Sequence, residues 1–116
     1  MQYMILVYEP EDGFRGEAGE AVLQGIVAKH MALAADLRTK GQMKDGSGLQ
    51  DSTTATTVAT HGGQQTLHDG PFAETREHLG GYYLIDVPNL DDALAIARRV
   101  PVLEGGKVEV RPLVVY

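Results

Sequence analysis

Two segments constrain this chain more than any other: residues 2–8 (Gln-Tyr-Met-Ile-Leu-Val-Tyr) and residues 80–87 (Gly-Gly-Tyr-Tyr-Leu-Ile-Asp-Val). Both are rich in β-branched and aromatic residues, as strands are. In the first, Tyr3, Ile5 and Val7 are apolar, and so are Met4, Leu6 and Tyr8 on the opposite parity. A strand without apolar–polar alternation is covered on both faces. The rest of the chain offers two helical patterns, and two helices cover one face of a sheet. A second copy of the chain is the simplest cover for the other face.

The first helical pattern runs from residue 18 to about residue 40. Val22, Leu23, Ile26, Val27, Leu33, Ala34 and Leu37 fall at helical spacing, and Gly41 follows Arg38 and Lys40 as a stop. Asn89 caps the second helix, Asp91 and Asp92 suit its first turn, and Pro101 ends it. Residues 42–50 form a short strand broken at Asp45-Gly46, and residues 53–60 a strand with one solvated face. Gly62-Gly63 is a hairpin turn with residues 65–68 as the return strand, and residues 107–116 form the last strand. Residues 73–78 make a charged loop or a single helical turn. Gly80-Gly81 marks a bulge or a close approach of another backbone. The order predicts an α+β fold, a ferredoxin-like βαββαβ sandwich with an inserted β-hairpin, in one domain over residues 1–116.

At 116 residues the chain builds a core without staples. It has no cysteine, which excludes disulfides, iron–sulfur clusters, thiolate zinc sites and a cysteine nucleophile. A net charge of −6 gives neither a basic nucleic-acid footprint nor a polybasic membrane patch. No apolar run approaches the roughly 20 residues of a membrane helix. The N-terminus lacks the positive start of a signal peptide, so the expected location is the cytoplasm. His61 and His68 flank the hairpin turn without a third ligand at suitable spacing, and Gly62-Gly63 lacks the lysine of a phosphate loop. No metal or cofactor is expected.

Residues 69–83 read Asp-Gly-Pro-Phe-Ala-Glu-Thr-Arg-Glu-His-Leu-Gly-Gly-Tyr-Tyr. This block resembles the DGPF signature of the YCII-related family. The flanks agree: residues 1–8, Leu84-Ile85-Asp86-Val87, Asp91-Asp92-Ala93 and Val108-Glu109-Val110-Arg111-Pro112. The resemblance implies a dimeric α+β barrel, two ferredoxin-like units joined face to face by their sheets. Most members of the family have no assigned activity. Simple members resemble proteins suspected to be enzymes through a histidine–aspartate pair in a cleft, and the matching positions here are His30 and Asp69. A few relatives act in the degradation of chlorinated aromatics. Others sit beside or are fused to sigma factors, which suits a regulatory part.

His30 lies within about 60° of Leu23, Ile26, Val27, Leu33, Ala34 and Leu37 on a helical wheel, so it points at the sheet. It is either a core histidine satisfied by a hydrogen bond or a functional one. Asp69-Gly70-Pro71 is ordinary turn chemistry, or Asp69 orients His30 and raises its basicity. Phe72 and Glu74 follow in the same block. Glu74, Arg76, Glu77 and His78 form either a solvated loop or a rim over a pocket. Arg111 either pairs with a carboxylate or holds an anionic substrate. Tyr82 and Tyr83 face opposite ways, and one of them, taken as Tyr82, lines a cleft. Two functions stay open, with a third in reserve: a small enzyme with His30 and Asp69 as its acid–base pair, a non-catalytic module that senses a small ligand or partners a transcription factor, and a purely structural dimer whose histidine is a core residue.

Overall fold

The structure, a computed structural model, describes residues 1–73 and 75–116. Its elements run β1 (Gln2–Glu9), α1 (Gly16–Thr39), β2 (Met43–Gly48), β3 (Thr56–His61), β4 (Gln64–Asp69), β5 (His78–Asp86), α2 (Leu90–Ala97) and β6 (Lys107–Pro112). Four strands form one antiparallel sheet in the order β2-β5-β1-β6, and β3 and β4 pair separately. This is the ferredoxin-like α+β arrangement with an inserted hairpin. No helix among the described residues is long and apolar enough to cross a membrane.

Both helices pack on one face of the sheet. Tyr3, Ile5 and Val7 of β1 and Tyr83 and Ile85 of β5 meet Leu33, Ala34 and Leu37 of α1 and Ala93 and Ile96 of α2. Ile5, Leu37 and Ile85 are fully buried. Asn89 caps α2 by accepting the Asp92 N–H at 2.9 Å. At the far ends of the two helices, Asp36 accepts from Lys40 Nζ at 3.1 Å and from Arg99 Nη2 at 2.6 Å.

The opposite face carries Met4, Leu6 and Tyr8 of β1, all half-buried in the single chain. Leu84 and Tyr82 of β5 pair with Met4 and Leu6. This is the two-sided apolar character visible in the sequence. The edge strands are polar by comparison: β6 alternates Lys107, Glu109 and Arg111 with valines, and β2 reads Met-Lys-Asp-Gly-Ser-Gly with a bulge between Met43 and Asp45.

Three local expectations change, and the hairpin turn at Gly62-Gly63 stands. Ser52–Thr54 is a 3-10 turn instead of strand, because Asp51 Oδ2 accepts from the N–H and hydroxyl of Thr53. Strands β3 and β4 have no buried face, and Thr57 alone among their residues is half-buried. The hairpin closes with Gly62 and Gly63 both at positive φ, 58° and 77°, a turn that glycine adopts without strain. The last strand stops at Pro112, which cannot donate to the ladder.

The apolar stripe of α1 also divides. Leu33, Ala34 and Leu37 reach the core, but of residues 16–29 Gly19 alone is buried. Gly19 sits against the preceding 3-10 turn, Glu11–Phe14, where a Cβ would lie 2.4 Å from the Phe14 carbonyl carbon. The first half of the helix is thus fixed at its start and stands off the sheet.

Candidate functional site

The stand-off leaves a cavity of about 900 Å³ between the first half of α1, residues 46–48 of β2 and residues 80–83 of β5. Glycine makes this space. The β1–β5 register slips between Val7 and Tyr8, leaving Gly80 as a bulge. Next to it, a Cβ on Gly81 would lie 2.9 Å from the Ser47 carbonyl oxygen. The strand ends therefore run close together without side chains to fill the hollow beneath α1. Leu23, Ile26, Val27 and Met31 supply its apolar wall.

His30 lies on that wall, half-buried, with Nδ1 2.5 Å from the Tyr83 hydroxyl and the ring centroids 5.8 Å apart. Burial lowers the His30 pKa, and the Pro101 carbonyl partly opposes this. Burial pushes Tyr83 up to about 12. At neutral pH the phenol therefore keeps its proton and the imidazole is neutral. In the tautomer with the ring proton on Nε2, the hydroxyl donates to Nδ1.

A second polar group stands at the far end of β1. Glu9 and Glu11 both line the cavity and are 5% and 9% exposed. Glu9 accepts the Leu103 N–H at 3.4 Å, and burial raises its pKa more than that bond lowers it. Glu11 Oε2 accepts the Ser52 N–H at 2.6 Å. Its Oε1 is buried with no hydrogen-bond partner among the described residues; His78 Nε2, 3.7 Å away, is beyond bonding distance. Arg15, also on the cavity, is engaged by Asp12 at 2.6 Å and by Asp51 at 3.5 Å. Those Thr53 donors, with Arg15, hold the Asp51 carboxyl at about 2.

The expected site residues are scattered. His30 and Tyr83 meet, and His78, at the end of the charged run, also lines the cavity, while Arg76 and Glu77 do not. Asp69 ends β4 exposed, is not among the residues lining the cavity, and makes no hydrogen bond to His30 within the chain. Phe72 is 86% exposed and also away from the cavity. Tyr82 is among the residues lining the cavity and directs its hydroxyl toward Asp45 at 3.4 Å; the tyrosine that meets the histidine is Tyr83. Arg111 pairs with Met4 on that same open face, 4.0 Å from Glu109, on the other side of the sheet from Tyr83. Glu74 lies outside the described residues. His61 and His68 are exposed, and no cluster able to hold a metal occurs among the described residues. Glu9 and Glu11 are cavity groups that sequence reasoning did not single out, and of the tyrosine pair it took Tyr82 where Tyr83 meets the histidine. Glu9 carried a signal, since it shares the inward parity of Tyr3, Ile5 and Val7.

These features define an α+β protein of ferredoxin-like topology with a histidine–tyrosine pair on the wall of a helix-roofed cavity. The chain belongs to the YCII-related domain family, whose sequence profile matches residues 1–116. It is similar to an uncharacterized protein of Rhizobium meliloti (strain 1021), 35% identical over 121 residues, covering 100% of this chain and 94% of that protein.

Proposed function

We propose that the chain is a small cytoplasmic enzyme that binds an organic molecule in the cavity under α1 and exchanges a proton with it through Tyr83 and His30. The observation that carries this reading is the Nδ1–hydroxyl contact of 2.5 Å on the wall of a 900 Å³ apolar cavity. In the forward step a substrate X–H bond breaks as its proton passes to the Tyr83 oxygen. The phenolic proton passes to His30 Nδ1, leaving imidazolium and the substrate anion. The reverse step returns the proton to another atom, which is an isomerisation or elimination. Burial favours the neutral imidazole that the forward step needs.

Homodimerisation through the open face of Met4, Leu6, Tyr8 and Leu84 belongs to the same reading, as does the pairing expected for the DGPF block.

The test is a crystal soak in a mixture of small aromatic and aliphatic metabolites, followed by NMR of any bound compound in deuterated buffer. Density beside His30, with deuterium entering the compound in wild type and at least about a hundredfold more slowly in Tyr83→Phe, supports the reading. Density without deuterium entry makes the protein a non-catalytic sensor. An empty cavity, or density only elsewhere, overturns the proposal.

A further inference from the structure

Glu11 is a carboxylate without enough partners. Its side chain is 10% exposed, one oxygen is used by the Ser52 N–H, and the other is buried and unbonded among the described residues. A buried acceptor left open costs more than its bond would return, so such a group marks a place where a donor is missing. The neighbouring His78 Nε2 is 3.7 Å off, too far to supply it and close enough for one inserted atom to lie within bonding distance of both. Carboxylates also outnumber cations around this hollow. Arg15 is taken up by Asp12 and Asp51, leaving Glu9, Glu11 and Glu20 facing Arg38.

We infer that the cavity recognises a cationic nitrogen, a protonated primary amine seated between Glu11 Oε1 and His78, with the ligand's apolar body along Leu23, Ile26 and Val27. The inference rests on the cavity being the ligand site, and it narrows the substrate to an amphipathic amine. An ammonium offers three donors, enough to satisfy Oε1 and the His78 ring together. A hydroxyl offers one, and a carboxylate offers none and is repelled by Glu9 and Glu11.

Three probes of equal size separate these cases: benzylamine, benzyl alcohol and benzoate, titrated into the full chain and followed by the ring resonances of His78 and His30. Benzylamine binds at least about tenfold more tightly than benzyl alcohol, the usual margin for a hydrogen bond to a charged group, and benzoate binds most weakly. Glu11→Gln, which retains an oxygen for the Ser52 N–H, brings benzylamine to the level of the alcohol. Glu17→Gln, an exposed carboxylate in the first turn of α1 that does not line the cavity, leaves the ranking unchanged. No amine preference in wild type overturns the inference, and so does a preference that survives Glu11→Gln or is lost equally in Glu17→Gln. The wild-type ranking decides even where Glu11→Gln fails to fold. Amine preference without deuterium exchange refutes the acid–base role of His30 and leaves this site standing; exchange without amine preference does the reverse.

Discussion

His30 is a half-buried imidazole whose surroundings work against its proton. Its pKa lies below the usual 6.5, so the folded chain takes up the ring proton less readily than the unfolded chain. Above 6.5 both forms are neutral and the group contributes no pH dependence. As pH falls from 6.5 to the lowered native value, the unfolded state is protonated first and stability is lost. Thermal melts at pH 8 and pH 5.5 should show a larger drop for wild type than for His30→Asn; equal drops would place the acid sensitivity elsewhere. Glu9 has the opposite sign. Its pKa is raised, so stability is lost as pH climbs from 4.5 through the native value. Glu9→Gln should therefore stabilise the chain at pH 7 and give no gain at pH 4 in denaturant titrations; a loss at pH 7 would show that the charge is compensated. His30 was legible in the sequence because it sits in an apolar stripe of known period. Glu11 was not, because Glu-Pro-Glu-Asp-Gly reads as a turn and nothing local says that the turn is covered. Tyr82 and Tyr83 were legible as a pair facing opposite ways, but the choice between them depends on which face of the strand the helices take.

At the scale of elements, the helical period of α1 was visible from end to end, yet it does not report what lies beneath. The second half packs on Ile5 and Ile85; the first half roofs a hollow, because Gly46, Gly48, Gly80 and Gly81 converge below it without side chains. That convergence appears only once β2 and β5 are paired. The two halves should differ in measured stability. Leu37→Ala, at a fully buried position, should cost about 2–5 kcal/mol, and Leu23→Ala no more than about 1 kcal/mol. Comparable losses by urea unfolding would mean that the cavity is closed in solution. The hairpin was legible from Gly62-Gly63, but its solitude was not. Val58 and Leu67 face each other across it, 57% and 76% exposed. A lone two-stranded ribbon is marginal in water. Its amides should exchange with deuterium well before those of β1 and β5. Protection equal to that of β1 would show that another surface covers it.

For the whole molecule, the radius of gyration is 15.9 Å, against roughly 13 Å for a compact domain of this length. The open face of the sheet makes a second statement about the whole. Sedimentation at micromolar concentration should give about twice the 12.5 kDa of one chain, with roughly 1,600 Å² buried in total. Leu6→Asp, at the centre of that face, should return the mass to one chain; a wild-type monomer would instead leave the face open to water. The open apolar face itself was legible before any coordinates, since apolar parity is a property of the strand alone. The flanks of the sheet set a further limit. An added strand would meet Lys107, Glu109 and Arg111 in alternation along β6, then a proline with no N–H to offer; at β2 it would meet a bulged, glycine-rich strand. Sideways growth into a ribbon is blocked at both ends of the sheet, so chains that associate by their faces stop at a finite number and stay out of fibres.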